Sequence, residues 1–230
     1  HQTAEQILIR SGNIGSVRIA QKVGIDNFED FLVKIGILNQ LTFDTDEIGS
    51  TQIGRWGKCK LATVAFGHGI ATTLLQLTKG YSIITNGGYG INPTLINKKK
   101  DEYDKIRLIN QDVSNLINPI LRKIVSTKEG TAGFANVAGF EVGGKTGTAD
   151  QPADGEYSKK KINTFASVFP ASDPKFALVV MLDEPKPNKE FVYNYRDGRQ
   201  PLSLIHISEP TRLLSIGFSG LVLEKKKGGG

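Results

Sequence analysis

The sequence is poor in the residues that build disulfides and metal centres. A single cysteine, Cys59, excludes an internal disulfide and a cysteine zinc site. Of three histidines, His1 opens the chain and His206 lies near its end, so His68 stands alone in the body. That scarcity argues against a histidine-rich metal site. A catalytic triad would have His68 as its one credible base, and no Ser or Asp can be paired with it from sequence. No apolar run approaches the roughly 20 residues that cross a bilayer, and no signal-peptide pattern opens the chain. No internal repeat is visible. The first residue is His1 rather than Met, which points to a missing start.

What is present describes a folded domain. The 230 residues suit one domain or a piece of a larger one, and 39% hydrophobic content with 23% charge excludes a disordered chain. The formal charge is +6. Residues 201–230 carry Arg212 and Lys225, Lys226 and Lys227 against Glu209 and Glu224, so part of that excess sits in the tail. Lysines cluster at Lys98 to Lys100 and at Lys159 to Lys161, but no aromatic residues interleave as a stacking platform would require. Both clusters are expected to be solvated loops, and no nucleic-acid partner is expected.

Periodicity predicts helices first and strands last. Residues 3–10 read as a short helix with Thr3 as N-cap and Gln6 completing a capping box. Ser11-Gly12-Asn13 breaks it, and Ile14, Val17, Ala20 and Val23 mark a second helix that Gly24 closes. Asp26 to Glu29 resembles a further capping box, followed by the stripe Phe28, Phe31, Leu32 and Ile35, with Gly36 as the stop. Residues 41–69 read as irregular, with Trp56 and Cys59 as packing residues. A helix is expected over 72–85, and another over 112–125 that Pro119 bends or interrupts. Residues 140–149, 162–169 and 176–182 are short, apolar and rich in β-formers. The order predicts an α/β (α+β) domain with helices around an antiparallel sheet.

From Pro201 the text changes. Residues 201–212 resemble the translation of a sequencing-adapter read-through, and the chain ends in Lys-Lys-Lys-Gly-Gly-Gly. The expected organisation is a partial domain over 1–200 and a non-native tail over 201–230, set aside from functional reasoning.

The richest segment is Gly139 to Thr148, and it supports two readings. Gly139 to Thr146 satisfies G-x-x-x-x-G-K-[ST], the phosphate loop of a P-loop ATPase, and the apolar run ending in Asp183-Glu184 could follow as its acidic strand. A phosphate loop needs a helix starting at its Lys-Thr, and Gly147, Pro152 and Gly155 oppose one. Asp183 and Glu184 are otherwise solvated strand-end charges. The second reading takes Lys145-Thr146-Gly147 as the K-T-G element of penicillin-binding proteins and serine β-lactamases, with Ser11-Gly12-Asn13 as their S-x-N element. Alternatively, Ser11 and Asn13 cap the helix at Ile14, and Thr146 and Thr148 are ordinary strand residues.

Longer stretches favour the second. Residues 7–16 around Ser11-Gly12-Asn13, residues 67–77 with Ile84-Thr-Asn-Gly-Gly88 and Pro93, residues 142–149, and residues 176–185 with Tyr195 to Gly198 together resemble the transpeptidase domain of class B penicillin-binding proteins, most of all the septal member of cell division. The likeness runs nearly continuously over 1–200. It implies a β-lactamase/transpeptidase-like fold, here incomplete, and a peptidoglycan D,D-transpeptidase that cross-links stem peptides and binds β-lactam antibiotics. It implies Ser11 as a proton relay, Asn13 as a hydrogen-bond partner of the substrate amide, and Lys145 as a positive charge near the substrate carboxylate. Thr146 and Thr148 would bind that carboxylate, the Thr148 N–H would serve the oxyanion, and Gly147 would keep the strand face clear. No metal or organic cofactor is implied. The partners would be division-machinery membrane proteins, and the place the periplasmic face of the bacterial inner membrane. A non-catalytic β-lactam sensor or division scaffold would carry the same elements.

The nucleophile departs from the pattern. The strings Ser158 to Lys161 and Ser172 to Lys175 fit S-x-x-K, but such strings arise by chance here and both follow Lys145, whereas the family places the nucleophile before S-x-N. The expected nucleophile lies upstream of His1, with the family's anchor, and the family's closing helix is missing after residue 200. Sequencing the gene across codon 200 tests the tail: a junction to foreign sequence is expected, and a normal coding continuation would contradict it.

Overall fold

The computed structural model describes residues 1–45, 49–97, 106–153, 156–185 and 219–222. Among these residues six α-helices precede the main sheet: α1 (Ala4–Ile9), α2 (Asn13–Val23), α3 (Ile25–Lys34), α4 (Lys58–Val64), α5 (Leu74–Thr85) and α6 (Gln111–Ser126). Strands β1 (Gln52–Ile53) and β2 (Ile70–Ala71) form a small antiparallel ribbon between them. The antiparallel sheet follows, in the order β3 (Gly143–Ala153), β4 (Glu156–Phe169), β5 (Phe176–Asp183) and β6 (Ser219–Val222). The expected α+β class, with helices against an antiparallel sheet, is what the chain forms.

The cap signals explain the helix starts. Thr3 accepts from the Gln6 amide while the Gln6 side chain accepts from the Thr3 N–H, so both ends of the predicted capping box are made. Thr73 and Gln76 repeat the device at α5. There the Gln76 side chain is fully buried and also donates to the carbonyl of Asn39 at 2.8 Å, tying α5 to the turn after α3. The Asp26 capping box does not form. Helix α3 begins two residues earlier, after Gly24 at φ 84°, and Asp26 lies in its first turn, where its charge suits the helix dipole.

Three further differences have physical causes. Helix α4 was not legible within 41–69 because it is seven residues long and its cap, Gly57, makes no side-chain bond. Its buried contacts fall on Leu61 and Val64, so Cys59 is exposed rather than packed, while Trp56 meets Phe28 edge-on. Pro119 does not interrupt α6, which runs on to Ser126. Buried Ser114, Leu121, Ile124 and Val125 hold the helix down on both sides of the proline. Tertiary packing thereby outweighs the lost backbone bond.

One core cluster lies between the sheet and helices α1 and α6, and includes Ile9, Leu121, Ile124, Val125, Phe165, Val168 and Ala177. A second, around Ile35, Ile37 and Ile83, joins α3 to α5. Strand β3 is an edge strand in the described sheet. It pairs in register with β4, Lys145 opposite Ala166 and Gly147 opposite Thr164. At the far edge, Ser219–Val222 pairs with Val179 to Phe176 of β5. A ladder needs only backbone groups, so an open strand edge takes an extended segment whatever its sequence. The remainder of 201–230 and the stretch Tyr195 to Gly198 lie outside the described residues.

The junction of α1 and α2 positions the first candidate site. Beyond Ile9 the Gly12 N–H bonds the Ile7 carbonyl at 2.8 Å and the Ser11 N–H bonds the Leu8 carbonyl at 3.3 Å. These two bonds make a Schellman ending, with Ser11 in the left-handed position at φ 57°. Glycine is the usual occupant of that position because a Cβ there is strained. Removing the hydroxyl in two ways isolates this strain: Ser11→Gly should leave the fold about 1 kcal/mol more stable than Ser11→Ala in denaturant unfolding. An alanine variant of equal or greater stability would contradict it.

Candidate active site

Two elements far apart in the chain meet at one point. The Lys145 Nζ, rising from edge strand β3, donates to the Ser11 Oγ at 2.8 Å and to the carbonyl of Thr146 at 2.8 Å. Lys145 is half-buried, so its charge acts in a medium less polar than bulk water and is felt more strongly at the serine. Ser11 stands in the left-handed turn between the two helices. Neither Ser11 nor Asn13 caps α2: the cap is Gly12, which makes no side-chain bond, and Ser16 takes the Gly12 carbonyl at 3.0 Å. The capping alternative for Ser11 and Asn13 is therefore overturned.

Asn13 opens the first turn of α2 and is exposed; its side chain has no hydrogen bond within the described residues. Along β3, Thr146 is buried and its hydroxyl shares a hydrogen bond with that of Thr131 at 2.8 Å. Gly147 and Thr148 follow, both exposed. Thr146 and Thr148 share one strand face by alternation, but Thr148 lies past the cover that Thr131 provides. The structure thus joins Ser11 with Lys145 and sets Thr146 beside it, while Asn13 and Thr148 face outward nearby in sequence and make no hydrogen bond to that pair.

Thr131, Arg10 and Glu129 belong to this neighbourhood and were not singled out in the sequence. The only available signal for Arg10 was its place just before Ser11. Nothing in the sequence marked the Thr131 hydroxyl as a partner. Arg10 makes two hydrogen bonds to Glu129, Nε to Oε2 at 3.2 Å and Nη2 to Oε1 at 2.9 Å. Those bonds, and then the guanidinium charge, hold the Glu129 carboxyl below its ordinary value. The contribution of this pair to the folded state is present above the ordinary carboxylate pKa and is lost as pH falls through the lowered one.

The phosphate-loop reading fails on geometry. Lys145 to Thr148 lie within an unbroken strand, and no helix starts at Lys145-Thr146 to aim N–H groups at a phosphate. At the end of β5, Asp183 accepts from Gln151, and Glu184 pairs with Lys160 at 2.6 Å. His68 packs its ring on Phe66. No group of three His, Cys, Asp or Glu side chains that could hold a metal occurs among the described residues. Nor is any helix there long and apolar enough to cross a membrane.

Known proteins resemble this chain in sequence and fold. Residues 1–199 match the family model described as penicillin binding protein transpeptidase domain. The peptidoglycan D,D-transpeptidase FtsI of Buchnera aphidicola is 31% identical over 202 residues, covering 82% of this chain and 34% of that protein. Penicillin-binding protein PbpB of Mycobacterium tuberculosis is 30% identical over 209 residues, covering 82% of the chain and 31% of that protein. The stage V sporulation protein D of Bacillus subtilis is also 30% identical, with 83% and 31% covered. The chain therefore spans about a third of the length of these relatives. Among solved structures, penicillin-binding protein 3 of Mycobacterium tuberculosis in complex with aztreonam superposes with a TM-score of 0.73 at 28% identity, over 80% of this chain and 45% of that one. The chain belongs to the penicillin-binding protein transpeptidase domain family, among its class B members.

Proposed function

We propose that this chain is part of a peptidoglycan D,D-transpeptidase working through a serine acyl-enzyme, and that its nucleophilic serine lies upstream of His1. The observation that carries the proposal is the 2.8 Å contact between the Lys145 Nζ and the Ser11 Oγ, which unites the S-x-N and K-T-G elements. The two S-x-x-K strings in the chain support an upstream nucleophile, since neither starts on a helix: Ser158 is in β4 and Ser172 in the turn before β5, where it bonds Glu141.

In the proposed reaction the serine oxygen attacks the carbonyl of the penultimate D-Ala of one stem peptide. The amide C–N bond breaks, and the terminal D-Ala leaves with a proton delivered through Ser11. The resulting ester is attacked by the amine of a second stem, which forms the cross-link amide and returns the proton to the serine. Lys145 keeps the Ser11 oxygen polarised and adds positive charge where the substrate carboxylate lies. Thr148, exposed beyond the Thr146–Thr131 pair, binds that carboxylate with Thr146 behind it. Asn13 holds the substrate amide. The Thr148 N–H serves the oxyanion, a role worth about 3 kcal/mol in the transition state. Gly147, without a side chain, lets the stem lie along the edge of β3 as an added strand.

A β-lactam would enter the same path, its ring amide opening onto the serine and the acyl group staying. The aztreonam and ampicillin complexes of the Mycobacterium tuberculosis relative support this for the family. In this reading the whole protein is anchored in the bacterial inner membrane, acts on the periplasmic face at the division septum, and meets membrane proteins of the division machinery there.

The 230-residue chain should resist labelling by a fluorescent penicillin, while the gene product extended upstream should label stoichiometrically. In the extended protein Lys145→Ala should slow acylation on the order of 10²-fold or more. Stoichiometric labelling of a serine within the 230 residues would overturn the upstream nucleophile. Labelling of the extended protein without transfer to an acceptor amine would make it a sensor or scaffold instead.

A further inference from the structure

The contact of Lys145 with Ser11 is one side of a closed ring. From Lys145 the backbone leads to Thr146, whose hydroxyl meets Thr131 at 2.8 Å. Two residues before Thr131 is Glu129, gripped by Arg10 through two hydrogen bonds, and Arg10 precedes Ser11. The ring has a rigid corner. The Thr127 N–H bonds the Lys123 carbonyl, the Gly130 N–H bonds Thr127, and the Ala132 N–H returns to Ile124 at 3.2 Å. Gly130 presses on the end of α6 so closely that a Cβ there would stand 2.0 Å from the Ile124 carbonyl oxygen. Glu129 and Thr131 flank that glycine, so the strand and the serine turn are referred to one fixed point. A second ion pair, Lys123 with Glu5 at 2.5 Å, fixes the other end of α1 on α6.

We infer that Arg10, Glu129 and Thr131 are positioning residues that set the distance between Ser11 and Lys145. The inference rests on the function proposed above for that pair. The Arg10–Glu129 pair is exposed, 45% and 55% of the two side chains, and exposed pairs add little to stability. Its effect is geometric. Ser11 is held in a strained turn at φ 57°, a conformation that persists only where its surroundings dictate it. A bidentate grip on the preceding residue limits how far that turn can relax. On the other side the Thr131 hydroxyl keeps Thr146, and with it the start of the Lys145 stem, in place. A displacement of about 1 Å in such a constellation is enough to slow a reaction strongly.

The test uses Arg10→Ala, Glu129→Gln, Arg10→Lys, the exchange of Arg10→Glu with Glu129→Arg, and Thr131→Val beside Thr131→Ser. In the gene product extended upstream, acylation by a chromogenic β-lactam is separated into binding and the acylation step. In the 230-residue chain, the ¹³Cε resonance of Lys145 is recorded by NMR. Arg10→Ala and Glu129→Gln should each slow the acylation step 5- to 10-fold with binding and melting temperature unchanged, and Thr131→Val should slow it as much while also lowering the melting temperature, because the buried Thr146 hydroxyl loses its partner. The exchange and Thr131→Ser should recover to within twofold, and Arg10→Lys should fall between. The Lys145 resonance should move in the slow variants and return in the recovered ones. Rates within twofold of the parent, or losses in the Arg10 and Glu129 variants that follow the melting temperature, would overturn the inference. Should the extended protein itself not be acylated, the proposed function fails, and the Lys145 resonance alone decides: unmoved in all single variants, it overturns the ring.

Discussion

A half-buried ammonium group on a sheet edge must find acceptors, and in this chain it finds the Ser11 hydroxyl and a neighbouring carbonyl. The turn that presents Ser11 is local, but what brings it to Lys145 is long-range. Ile9 at the end of α1 is buried in the same cluster as Leu121, Ile124 and Phe165, so the hydrophobic contact of α1 with α6 and the sheet also docks the serine turn. The close approach of α6 to the start of β3 sets the height of the lysine. There the tight spot is Gly143, whose added Cβ would stand 3.1 Å from the Arg122 amide nitrogen. Core packing supplies the energy and the polar groups supply the direction.

The same turn shows a conflict between stability and chemistry. A serine occupies a left-handed helix ending that suits glycine better, and the strain is tolerated because only a side chain can hand a hydroxyl to Lys145. Thr146 shows the opposite solution, a hydroxyl satisfied internally by Thr131 and thereby fixed. Between them the site pairs one group in a strained turn with one buried, anchored group.

Much of the fold was legible in the sequence, and the parts that were share a cause. Helices α1 and α5 announce themselves through Thr3 with Gln6 and Thr73 with Gln76, because caps and periodicity are local signals. The three long strands were visible in part as short stretches rich in β-formers, but β3 runs on to Ala153 and β4 begins at Glu156, so that Lys159 to Lys161 lie in a strand rather than the expected loop. Helix α4 and the continuity of α6 through Pro119 were not, since both depend on what the segment packs against. At the candidate site, Ser11, Lys145 and Thr146 were found through two short motifs and a family resemblance. Their contact was not readable, nor was Thr131 or the Arg10–Glu129 grip. A hydrogen bond between residues 134 positions apart leaves no trace in local pattern. Cys59 illustrates the reverse error: an apolar residue type was read as packed, while its helix turns Leu61 and Val64 inward instead.

The central claim is that Ser11 and Lys145 act as one unit. A double-mutant cycle on the 230-residue chain, with Ser11→Ala, Lys145→Met and both together, measures it directly by denaturant unfolding. A hydrogen bond to a charged, half-buried group predicts a coupling energy of about 1–3 kcal/mol between the two changes. Additive losses, with coupling below about 0.3 kcal/mol, would contradict the account, because independent residues do not share a bond.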